Sequence, residues 1–81
     1  MRFMDIPTRS RWRKATRTYE LSLQRDLWGH WCLLRAWGAT NRAGGRCTTT
    51  PFDSLTEAIT AYDHAQHRRQ RRGYHLESHD A

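Results

Sequence analysis

The chain has 81 residues, enough for one small domain and too few for two separate cores. Its formal net charge is +6, its sequence pI is near 10.4, and of its 14 basic residues only Lys14 is not an arginine. Arginine grips phosphate bidentately and stacks on planar groups, so the balance favours a polyanionic partner, nucleic acid first. No apolar leader or run of membrane-spanning length occurs, and two cysteines, Cys32 and Cys47, are too few for a disulfide framework. A cytoplasmic chain with free thiols and no membrane partner is expected.

Residues 1–16 carry Arg2, Arg9, Arg11, Arg13 and Lys14 with little apolar periodicity, and Pro7 discourages helix. They read as a flexible basic arm. Trp12 within it either tucks against the domain or helps the arm to bind. From Arg17 to Gln24 the alternation is clean: Tyr19, Leu21 and Leu23 point one way, Thr18, Glu20, Ser22 and Gln24 the other. That is a half-buried strand. Asp26 and Gly29 mark the turn that follows.

His30 to Trp37 is apolar on both faces, Cys32, Leu34 and Ala36 on one, Trp31, Leu33, Arg35 and Trp37 on the other. A central strand is expected. One helix covers only one face of a small sheet, so the other would show tryptophan and leucine to solvent, as binding surfaces do. Gly38 to Gly45 reads as a hairpin loop, and Gly45 to Thr50 as a short β-branched strand ended by Pro51. In that hairpin Cys32 faces the region of Thr50, not Cys47, so no bridge is expected.

Ser54-x-x-Glu57 forms a capping box, starting a helix that runs to Arg72. Its stripe is Leu55, Ala58, Ile59, Tyr62 and Gln66, while His64, Arg68 and Arg71 lie opposite. The cations of the last turns suit the helix dipole, and Gly73 is a natural stop. Tyr74 to Leu76 can add a short edge strand, and residues 78–81 read as frayed. The expected fold is α+β: an antiparallel sheet of three to four strands with one helix across one face, the domain spanning 17–77.

In order and spacing, several pieces together resemble the WGR domain. They are Tyr19 and Leu21 in the first strand, Arg35-Ala36-Trp37-Gly38 at the end of the signature strand, Phe52, Glu57 and Ala58 at the helix start, and Arg72-Gly73-Tyr74 at its close. That family occurs beside the catalytic region of DNA-damage-activated poly(ADP-ribose) polymerases and as small stand-alone bacterial proteins. The resemblance implies a sheet with one helix packed across it, and DNA binding through the tryptophan corner. It also implies that the hairpin and the helix C-terminus lie near each other. The third letter of the motif is Ala39 here, so the arginine that family members use beside the tryptophan is missing, and Asn41 stands where a glycine is usual. Arg42 and Arg46 are the loop candidates to replace the charge.

The candidate nucleic-acid-binding residues are therefore Arg35, Trp37, Arg42 and Arg46 at the hairpin, with Arg68, Arg71, Arg72 and Tyr74 at the helix end. Trp37 is expected to be partly exposed. Neither cofactor, metal nor small-molecule substrate is expected. Cys32, Cys47, His64 and His67 lack zinc-site spacing. Glu57 is explained as a cap, Asp63 as a helix-surface charge, and no nucleophile stands beside a base, so the chain is not read as an enzyme. The alternative function is protein docking through an exposed Trp31/Trp37 sheet face.

Overall fold

Alternating side chains and turn residues lay the first four strands down as a meander. In the computed structural model, which describes residues 9–39 and 44–80, these are β1 (Arg9–Lys14), β2 (Arg17–Arg25), β3 (Trp31–Ala39) and β4 (Arg46–Phe52). Helix α1 (Leu55–Arg71) follows, then β5 (His75–Asp80). All pairings are antiparallel, in the order β4-β3-β2-β1-β5. The class is the expected one, but the sheet has five strands instead of three to four.

The unexpected strand, β1, comes from a segment read as a flexible arm, and the short edge strand expected near Leu76 runs on to Asp80. Residues 9–14 are not an arm: they pair on one side with β2 and on the other with β5, and Trp12 is 4% exposed. The earlier part of the proposed arm, residues 1–8, lies outside the described residues. Residues 78–80, read as frayed, belong to β5. β1 and the later part of β5 escape an apolar-periodicity reading because their outward positions are polar or charged. Arg11 donates to Glu20 through Nε at 2.8 Å, and Arg13 Nη1 lies 3.5 Å from Glu77. Such exposed pairs hold strand edges in register without large energies.

Cross-strand partners share a face, which fixes the packing. Trp12, Tyr19 and Trp37 form one row, Ser10, Leu21 and Arg35 the next, then Leu23 with Leu33, then Arg25 with Trp31. The helix lies over these rows through Ala58, Tyr62 and Ala65, with Leu55 and Ile59 half-buried. Leu21 and Leu33 are fully buried, each worth about 1.5–3 kcal/mol against exposure. Trp31 and Leu33 are thus core residues, which removes the Trp31 sheet face as a docking surface. The uncovered face carries Cys32, Leu34 and Ala36 among polar neighbours. Cys32 and Cys47 are both free, Cys32 pairing with Pro51 and Cys47 with Ala36. Burial and the facing Asp26 carboxylate push the Cys32 thiol pKa up, which keeps it protonated and inert. Pro51 lies within β4 and does not end it; β4 is an edge strand, where a missing N–H is tolerated.

The helix begins as its sequence dictates. Ser54 is the N-cap, its Oγ accepting the Glu57 N–H at 3.2 Å, a contribution of about 1 kcal/mol. At the other end the N–H of Gly73 bonds Gln70 O and that of Tyr74 bonds Arg69 O, both at 3.0 Å. Gly73 has φ +87°, a left-handed C′ position that suits glycine. This cap reverses the chain and returns Tyr74 toward the sheet.

Candidate nucleic-acid interface

The register of β2 on β3 sets Tyr19 directly opposite Trp37. Their rings stack, centroids 5.7 Å apart and planes 12° from parallel. Tyr74, delivered by the helix cap, meets Tyr19 edge-on at 6.1 Å and 72°. Arg69 closes the cluster from the last turns of α1, its Cζ lying 4.1 Å from the Tyr19 ring centroid and 5.2 Å from that of Tyr74. From the opposite side, Lys14 donates through Nζ to the Arg72 carbonyl at 2.6 Å. Three aromatic rings from β2, β3 and the post-helix segment are thereby held together by two cations.

A hollow of about 800 Å³ opens over these rings, with Lys14, Arg17, Arg69 and Arg72 around it. No Asp or Glu among the described residues lines it. A water-accessible concavity with aromatic walls and only positive charge suits a base or sugar against the rings and phosphate against the cations. The β1–β2 turn completes the rim. It is a two-residue connection, Ala15-Thr16, with Ala15 at φ +53°. A left-handed alanine costs about 1 kcal/mol, and such backbone gathers at working surfaces. Beside Trp37 the hairpin closes tightly, and a Cβ on Gly45 would run into the Trp37 carbonyl oxygen. Only glycine lets the returning strand pass there.

A family model for the WGR domain matches residues 8–81. The chain belongs to the WGR family. WGR domains are nucleic-acid-binding modules and not catalytic ones. Comparison with curated proteins and with solved structures gives no match. The match begins at residue 8, in agreement with β1 being part of the WGR domain and not an appendage to it.

Of the residues singled out in the sequence, Trp37, Arg72 and Tyr74 meet in the hollow. Arg46 pairs with Trp37 from β4 and lines a second, shallower depression on the far side of Gly38. Arg68 and Arg71 are exposed on the last helical turns without lining the hollow, and Arg35 is half-buried in the row of Leu21. Arg42 lies outside the described residues. Trp37 is half-buried, in keeping with the expected partial exposure. Four residues of this hollow escape a reading by composition and motif: Lys14, Arg17, Tyr19 and Arg69. The helical phase held a signal for Arg69, which stands seven residues after Tyr62, two turns along the same stripe.

At the opposite end of the strands the β2–β3 turn exposes Leu27 to 94% and Trp28 to 80%. Asp26 shapes it, accepting the N–H of Trp28 at 2.9 Å and of His30 at 2.8 Å. Desolvation raises the Asp26 pKa, but these two bonds and the His30 ring outweigh it and hold the carboxyl below its usual range.

Proposed function

We propose that this WGR domain is a non-catalytic DNA-binding module that holds duplex backbone or a strand end in the Trp37 hollow. One observation carries the reading: the stacked Trp37–Tyr19 pair is ringed by Lys14, Arg17, Arg69 and Arg72, with no acidic counterweight among the described residues. Tyr74 and Arg72 belong to the contact surface with Trp37. Arg46, Arg68 and Arg71 flank it as generic attraction for the backbone, Arg35 stands behind as a supporting charge, and Arg42, outside the described residues, is retained as a candidate contact on its sequence position alone. The partner is a cytoplasmic nucleic acid, and the chemistry needs neither metal nor cofactor.

Titration against blunt, nicked and single-stranded DNA over a salt series tests this. If about four phosphates are engaged on duplex, log K should fall with log salt at a slope near −3.6. A flat dependence overturns the reading.

A second reading rests on the Leu27–Trp28 turn, an apolar projection that replaces the buried Trp31 face as the surface for protein docking. The two uses are separable because the turn lies at the far end of β2 and β3 from Trp37. Leu27→Ser combined with Trp28→Ser is expected to leave duplex affinity unchanged in anisotropy titrations. A tenfold loss would place the turn on the DNA surface instead.

A further inference from the structure

The motif of this domain reads Trp37-Gly38-Ala39, so the tryptophan has no arginine two positions on. The strand register shows what stands there instead. Arg17 is the direct cross-strand partner of Ala39, and Lys14 is the partner of Arg17 on the other side. Side chains opposite one another in an antiparallel pair share a face, with Cβ atoms about 4.5–5.5 Å apart. Arg17 therefore rises from the same face as Tyr19 and Trp37, two positions along β2 from the stacked ring, and it lines the hollow.

Two of the other three cations hold the site together, and the third, Arg72, is exposed at the helix end and stands outside the strand row of Trp37. Lys14 spends its ammonium on the Arg72 carbonyl. Arg69 lies over Tyr19 and Tyr74. Arg17 is exposed and, among the described residues, makes neither an ion pair nor a hydrogen bond. Its five donors are free, and its neighbour across the strands is a methyl group that leaves the guanidinium room to swing over Trp37. The strained Ala15 turn immediately before it fixes the start of β2, so the base of the side chain is held while its fork stays free.

We propose that Arg17 is the phosphate-gripping residue of this site, supplying from β2 the charge that position 39 of β3 lacks. The inference rests on the nucleic-acid reading and adds to it a named phosphate-contact residue. A guanidinium fork over the stacked pair can hold one phosphate bidentately while the attached sugar or base lies on Trp37. The charge has moved one strand sideways without leaving its row.

A short blunt-ended DNA duplex, titrated by fluorescence anisotropy over a salt series, tests it on four proteins: wild type, Arg17→Ala, Arg17→Ala with Ala39→Arg, and Arg9→Ala on the uncovered face. Arg17→Ala should weaken binding about tenfold and flatten the salt slope by about 0.9, the share of one phosphate. Arg9→Ala should change affinity less than threefold. Adding Ala39→Arg to Arg17→Ala should recover most of the loss, because the charge returns to the same row. Thermal melts should agree within a few degrees, since both positions are exposed or at a strand end. If Arg17→Ala behaves like Arg9→Ala, or if Ala39→Arg rescues nothing, the assignment is overturned while duplex binding by the wild type stands. If the wild type shows no salt-dependent binding, the nucleic-acid reading falls and takes this assignment with it.

Discussion

Replacing Trp12 by alanine should cost about 3–5 kcal/mol of stability, a large share of the roughly 5–15 kcal/mol that holds a typical domain together. The indole is 4% exposed and sits in the row of Tyr19 and Trp37, under the helix. Its Nε1 donates to Ser10 Oγ at 3.0 Å, and Ser10 is itself 1% exposed. Truncation therefore opens a cavity and strands a buried hydroxyl, two penalties of different origin. Urea denaturation should show the midpoint falling sharply with little change in slope. A loss below about 1 kcal/mol would mean that β1 is an accessory to the sheet and not one of its core strands. By the same reasoning a chain beginning at residue 17 should fail to fold, since it would lose Ser10 and Trp12 and leave β5 without a neighbour.

The largest effect on binding is expected from Arg69→Glu. The guanidinium lies 4.1 Å from one ring centroid and 5.2 Å from another. Reversal removes one cation from the hollow and puts a carboxylate where phosphate would approach, against the electron-rich faces of two tyrosines. Duplex affinity should fall by about a hundredfold at low salt, and the difference should shrink as salt rises. Arg69→Lys should fall between the two, because an ammonium keeps the charge but loses the planar stacking. Isothermal titration on all three proteins checks the order. Equal affinities for wild type and Arg69→Glu would remove the hollow from the binding surface.

How far the sequence could be read depended on which force dominated each segment. The helix was legible to within a residue because a cap, an apolar stripe and a stop glycine all agree, from Ser54 through Ala58 and Tyr62 to Gly73. β2 was legible because Tyr19, Leu21 and Leu23 alternate with polar residues. β1 was hidden and β5 was seen only at its start: in RSRWRK only Trp12 is apolar and in HLESHD only Leu76, so partner strands more than pattern set their extent. Trp37, Arg72 and Tyr74 could be named from their motif positions. Tyr19 and Arg17 could not, since their place in the hollow follows from register, which the sequence does not display until the hairpin is closed. Among the run of arginines near the helix end, only rotation about the helix axis separates Arg69 from Arg68 and Arg71.

The strand order has a consequence for how this surface comes into being. β1 to β4 lie side by side in chain order, so their pairings close short loops, whereas β5 must cross back to β1 after the whole helix has formed. Contacts of that sequence separation carry a larger loop-closure cost than those between neighbouring strands. Tyr74 and Arg72 lie just ahead of β5, and Lys14 at the end of β1 bonds the Arg72 carbonyl. The hollow is thus built across the longest-range pairing of the sheet. Whatever binds there is coupled by mass action to the docking of β5, tightening the closing seam of the fold as it binds.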